Sequence, residues 1–284
     1  MHWIAYTLIS AFTGSIAKVL QRTLIANQTH HPAALAFVFQ LLVGSIFFLY
    51  TLTTNTFELP PIETIWLPVV VMTLLYGIGN IYTFKAFQKA EAAEVAVIFA
   101  SSSIWSALTA LVLLRETITP TQWLGIVLIS LGVVVVSYRK TQWKLNQGHL
   151  FALLAALCFG IAFTNDAFII TAYTSVSAYM VLAFTLPGFM VLFLQPKAIP
   201  TLPTLLQPKI IIRLLICVAF YALSALTIFT AYKQGGSASV ISPLHQTSLL
   251  FTVALSYFFL HERGHILQKV VGAMVVCAGA AILI

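Results

Sequence analysis

The chain reads as an all-α integral membrane protein whose ten transmembrane helices form two inverted five-helix repeats. Three observations predict this. Of 284 residues, 60% are hydrophobic and only 7% are charged, against about 25% charged in a soluble domain. The apolar residues lie in continuous runs of the roughly 20 residues that cross a hydrocarbon core. Those runs divide five and five about a polar stretch, and residues match in order between the halves. The composition excludes a soluble globular enzyme, and disorder, which needs few apolar residues and many charges.

In order, the predicted spans are 3–22, 33–53, 65–87, 91–114, 121–138, 149–170, 175–195, 210–232, 237–260 and 265–284. They are too long and continuous for the alternating strands of a barrel, so helices must satisfy the backbone in lipid. Turn signals separate them: His31-Pro32, Pro60-Pro61, Thr119-Pro120, Gln195-Pro196 and Gly235-Gly236. The start, Met1-His2-Trp3, has no basic segment and no cleavage pattern, so the first run is expected to stay as a span. Cys158, Cys217 and Cys277 lie inside apolar runs at no metal spacing and read as small core residues.

The repeat is weak but ordered. Gly14 matches Gly160, Tyr76 through Phe87 matches Tyr221 through Tyr232, and Leu114-Arg-Glu116 matches Leu260-His-Glu262. Gly125 and Gly132 match Gly272 and Gly279. This defines repeats 1–138 and 149–284 joined by a connection, 139–148. An odd number of spans per half inverts the second half, an architecture of secondary transporters with a site between the halves.

At these residues the chain resembles the EamA-like branch of the drug/metabolite transporter superfamily. The segment Leu114-Arg-Glu-Thr-Ile-Thr-Pro-Thr-Gln-Trp-Leu-Gly125 is similar to that family's helix 4–helix 5 junction. Leu260-His-Glu-Arg-Gly-His-Ile-Leu-Gln268 is the second copy, with one extra residue before Gly272. Ala86-Phe-Gln-Lys-Ala-Glu-Ala-Ala-Glu-Val95 resembles the family's link from helix 3 to helix 4. Many relatives carry Trp beside the glycine of helices 1 and 6, where this chain has Thr13-Gly14 and Phe159-Gly160, which leaves the substrate open. The resemblance implies a ten-helix basket. Helices 1, 3, 4, 6, 8 and 9 surround a central cavity, and helices 5 and 10 are peripheral. It also implies export or exchange of small metabolites across a bacterial inner membrane.

Positive charge sorts by side. The odd-numbered connections hold eleven Lys and Arg, the even-numbered ones only Arg115 and Lys233, and Lys18 lies within span 1. The positive-inside rule then puts both termini outside. The resemblance implies cytoplasmic termini, so the two readings oppose one another.

Ionisable residues inside a span are costly and mark function. Lys18 lies on a polar stripe with Trp3, Thr7, Ser10, Gly14 and Gln21. It either snorkels to the interface or meets substrate in a cavity. Glu94 aligns with Ser101 and Trp105, as a helix N-terminal charge or as a partner of Lys18. His245 is near mid-membrane, beside Ser242 and two residues after Pro243, where a kink is expected. Asp166 lies off the stripe of His149, Ala156, Gly160 and Thr164, within reach of His245 or Lys233. Tyr76 with Asn80, and the matching Tyr221, form aromatic stripes suited to lining a cavity for organic or cationic groups. Glu116 and Glu262 read as helix caps or local ion pairs.

The expected site is thus a substrate cavity of Ser10, Gly14, Lys18, Tyr76, Asn80, Ser101, Trp105, Thr164, Tyr221, Ser242 and His245. Lys18 with Glu94 gates one side and Asp166 with His245 the other. Glu94, Asp166 and His245 would carry protons if transport is proton-coupled. His30-His31 has no acidic residue at metal spacing, and no phosphate loop or zinc motif is present. No cofactor, no metal and no nucleic acid are expected. The partners are a small-molecule substrate, the lipid bilayer, and a proton or counter-substrate. Lys18 suits a carboxylate and the tyrosines an aromatic or cationic group, which together favour an amino-acid-like substrate. Two other readings compete: an intramembrane enzyme for lipid-linked substrates, and a non-transporting scaffold. The connections are short and poor in acid for the first, and polar residues deep in lipid serve no purpose in the second.

Overall fold

The structure, a computed structural model, describes residues 2–25, 30–58, 62–113, 119–137, 146–171, 175–234, 245 and 247–282. Its helices are α1 (His2–Ile25), α2 (Pro32–Thr53), α3 (Ile62–Lys89), α4 (Ala92–Phe99), α5 (Ser102–Leu113), α6 (Pro120–Ser137), α7 (Gln147–Thr171), α8 (Val176–Leu194), α9 (Leu202–Leu205), α10 (Pro208–Lys233), α11 (Ser248–Phe259) and α12 (Ile266–Ile282). A 3-10 turn, Pro196–Thr201, precedes α9. Among the described residues, α1, α2, α3, α7, α8 and α10 contain segments long and apolar enough to cross a membrane, and four apolar helical segments are shorter.

One of the shorter segments, Ala92–Ser106, comes from the span expected over 91–114, which is broken between α4 and α5. The break follows from Ser101-Ser102-Ser103. The Ser101 hydroxyl donates to the Ile98 carbonyl at 2.7 Å and that of Ser103 to Ala100 at 2.6 Å. Backbone bonds from Ser101 to Ile98, Ser103 to Ala100 and Ile104 to Ser101 tighten to the 3-10 pattern. Clustered serine hydroxyls compete with the helical ladder and bend it. In the span expected over 237–260, the described helix is α11; residues 235–244, with Ser242 and Pro243, lie outside the described residues.

The hydrophobic pattern is that of a lipid-immersed bundle. Large apolar side chains point outward, with Phe193 79%, Leu267 75% and Phe258 70% exposed. Polar groups such as Thr7, Ser10, Gln21, Asn80, Glu94 and Lys269 are buried. Four pairings build the bundle: α1 with α10, α3 with α7, α2 with α8, and α6 with α12. Close packing replaces hydrophobic driving force between helices in lipid. At the α6–α12 crossing, a Cβ on Gly279 would lie 2.8 Å from the Gly125 carbonyl and one on Gly132 2.8 Å from that of Gly272. Only glycine allows the two backbones so near.

Candidate functional site

The polar stripe of α1 divides into two parts. Its first part packs against helices. The Ser10 hydroxyl donates to the Ser224 carbonyl at 2.7 Å, and the Ser224 hydroxyl donates back to Ser10 at 2.8 Å. A Cβ on Gly14 would sit 2.8 Å from Ser224 Oγ. Ser10 and Gly14 therefore join α1 to α10, because small residues let backbones approach and their hydroxyls find carbonyls. Gly160 and Thr164 do the same between α7 and α5. A Cβ on Gly160 would collide with the Ser102 carbonyl, and Thr164 donates to the Ser106 carbonyl at 3.1 Å. Ser101 is spent on the break before α5, and Trp105 is exposed at the edge of the bundle.

Lys18 differs. It is half-buried and has neither a hydrogen bond nor an ion pair among the described residues. Because α1 runs to Ile25, Lys18 lies seven residues, or about 10 Å, inside the helix. His245 lies within electrostatic range of Lys18. Tyr221 packs edge-on to Phe39 at 5.0 Å and to Phe184 at 5.8 Å. Asn80 is buried and donates to the Tyr76 carbonyl at 2.8 Å.

Neither expected gate pair forms as drawn. Glu94 Oε2 lies 3.1 Å from His149 Nε2, both side chains buried. The helix break rotates the face on which Glu94 aligned with Ser101 and Trp105, and α7 delivers His149 to it. Asp166 is taken by two phenols: Tyr76 of α3 donates to its Oδ2, and Tyr179 of α8 to its Oδ1 at 2.5 Å. Asn165 beside it donates to the Pro68 carbonyl in α3 at 2.9 Å, where proline interrupts the ladder.

The structure adds a network that was not anticipated, at the end of the bundle where α1, α3 and α11 finish. Arg22 Nε lies 3.1 Å from Glu262 Oε1, and the guanidinium also donates to the Phe87 carbonyl at 2.5 Å. The Ala92 backbone N–H donates to Glu262 Oε2 at 3.0 Å. Glu262 is thus a helix cap, but of α4, 170 residues away, and its ion pair is not local. Burial pushes its carboxyl above the usual glutamate range, and Arg22 pulls it partly back. Lys269, 2% exposed, pairs with Glu91 of the α3–α4 link, which is 29% exposed. Arg22 ending α1 and Glu91 opening α4 are charges in line with the helix dipole; Lys269, in the first turn of α12, opposes it and is matched by Glu91.

These features define a multi-pass membrane protein with a lipid-facing apolar surface and a polar, partly charged interior. The EamA-like transporter family model matches residues 1–138 and 146–284. The chain belongs to the EamA-like transporter family, whose members are membrane transporters of small molecules. No protein with a curated description matches it. One solved crystal structure is similar over 98% of this chain and 96% of its own, with a TM-score of 0.61 and 16% identity, which shows the fold alone.

Proposed function

We propose that this chain is a secondary transporter of a small, amino-acid-like metabolite, working by alternating access between two inverted five-helix halves. One observation carries the reading: Lys18, an ammonium deep in α1 with no partner among the described residues. A charge in hydrocarbon costs several kcal/mol or more. It is tolerable where water and a carboxylate ligand reach it. Tyr221, His245 and Asn80 are the remaining candidates for the wall of that cavity.

The helix pairing supports two related halves. Exchanging the halves turns α1–α10 into α7–α3 and leaves α2–α8 and α6–α12 unchanged. The Arg22–Glu262 and Lys269–Glu91 pairs join residues of both halves and act as the gate at their end. They replace Lys18–Glu94 in that role.

The test is thermal unfolding of the purified protein against amino acids, nucleosides, sugar phosphates and quaternary amines. A ligand at about 100 times its Kd stabilises by about 2.7 kcal/mol. Amino acids are expected to stabilise, and Lys18→Gln to abolish that response. Stabilisation confined to ligands without a carboxylate, undiminished in Lys18→Gln, would overturn the reading.

A further inference from the structure

Asp166 is left without a task by the substrate site just described. It lies 19 residues from the start of α7, about 28 Å along the helix, at the end of the bundle opposite the Arg22–Glu262 network. No lysine or arginine pairs with it among the described residues. The titratable groups that face it are Tyr76 from α3, Tyr179 from α8 and, at longer range, Tyr221 from α10. Tyr179 and Asp166 belong to the second half of the chain and Tyr76 to the first, so the Tyr76–Asp166 bond ties the halves together.

Resting on the transporter reading above, we infer that Asp166 binds the coupling proton and that its protonation releases Tyr76. The chemistry follows from the number of acceptors. An ionised carboxylate accepts from both phenols, one at each oxygen. A proton arriving from water converts one oxygen to a hydroxyl, which is itself a donor. The carboxyl charge goes from −1 to zero, no other bond is made, and the phenol that faces the new hydroxyl keeps only a weaker, neutral acceptor. Release of Tyr179 would leave its hydroxyl on Met72 Sδ of α3 at 3.4 Å and break no bond between the halves. Release of Tyr76 removes one polar tie between α3 and α7, beside the remaining Asn165–Pro68 bond, and loosens the halves at this end. Both phenols aim hydrogens at the carboxylate and favour its ionised form, so a proton that binds must displace or weaken one of these bonds.

The experiment uses the full chain in phosphatidylcholine–phosphatidylglycerol vesicles, shifted from about pH 8 to about pH 5, a span that brackets perturbed carboxyl groups. Infrared difference spectra report a protonated carboxyl, and hydrogen exchange reports opening of α3 and α7. Wild type is expected to gain a carboxyl band and, once the intrinsic pH dependence of amide exchange is divided out, to lose protection several-fold around Tyr76 and Asp166 in acid. Asp166→Asn loses that share of the band and the pH response. Tyr76→Phe keeps the band, and its exchange is fast at both pH values. Should Asp166→Asn fail to fold, the Tyr76→Phe result carries the test. A band unchanged in Asp166→Asn would overturn the inference. So would a Tyr76→Phe variant that retains the wild-type pH response, or exchange that sodium chloride accelerates equally at constant pH. Neither readout needs transport. A band without flux of any solute would remove the transporter reading and leave the proton site, and flux without the band would do the reverse.

Discussion

The two ends of this bundle are fastened by different chemistry. At one end, Arg22, Glu262, Lys269 and Glu91 form ion pairs among helix termini and links. At the other, a lone carboxylate, Asp166, is held by two phenols inside the helices. Placement explains the difference. Charges near span ends have partly exposed partners in Arg22 and Glu91, so opposite charges can be paired there at modest cost. A second full charge deep in lipid would cost several kcal/mol to insert, so neutral donors hold Asp166 instead. The ends also respond differently to acid. Burial holds Glu262 above its ordinary range, so the folded state takes up this proton more readily than the unfolded state. Falling pH through the folded value relieves that burial cost. Glu262 is therefore not an acid-labile fastening, and Glu262→Gln should remove a gain in thermal stability on acidification, not a loss.

The ion-pair end can be broken asymmetrically. Glu91→Ala leaves the Lys269 ammonium buried, with the Glu262 carbonyl at 3.4 Å as its remaining partner among the described residues. Removing one partner of a buried pair costs about 3–5 kcal/mol. Lys269→Met fills the same space and leaves Glu91, already 29% exposed, free to hydrate; it should stay within about 1 kcal/mol of wild type or exceed it. Thermal unfolding in detergent measures both. Equal losses would show that the pair is worth the same from either side and that burial does not decide the outcome.

At the phenol end, Tyr76→Phe and Tyr179→Phe each remove a hydrogen bond to a charged group, worth about 1.5–3 kcal/mol. The same substitutions made on Asp166→Asn should cost well under half as much, because the acceptor is then neutral. Full additivity in that cycle would mean that the phenols act by packing alone.

How much of this was legible follows from what each signal depends on. Long apolar runs depend on the bilayer alone, so the six long spanning helices could be read directly. The break after α4 depends on three adjacent serine hydroxyls, whose effect is local and small beside the hydrophobic run. The stripe of Ser10, Gly14 and Lys18 was legible as a stripe but not as two surfaces. A serine that lines a cavity and one that clasps a neighbouring helix have the same spacing. Glu94 was paired with the wrong partner because the break re-aims it and His149 arrives from 55 residues away. Asp166 was visible as a charge off the stripe, yet Tyr179 has no periodic mark that points to it. Lys269 opens α12 as a dipole-opposing cation would not be expected to, and that conflict was the available clue to Glu91.

Between the two ends lies the Ser10–Ser224 clasp, which also joins the halves. Its partners in the related α3–α7 interface are apolar: Gly79 there lies under Phe159, with a Cβ at 79 placed 2.7 Å from the ring. The two interfaces are alike in pairing but unlike in chemistry, so the clasp is not required to hold such a pair of helices. Neutral hydrogen bonds between membrane helices average about 0.6 kcal/mol in double-mutant cycles. The coupling between Ser10→Ala and Ser224→Ala should be of that order, well below the effect of Glu91→Ala or of either tyrosine substitution. A coupling above about 2 kcal/mol, beyond what such bonds reach, would move the main fastening between the halves from the ends to the middle. The gate at the Arg22 end and the proton latch at the Asp166 end would then have too little leverage over the halves to control them.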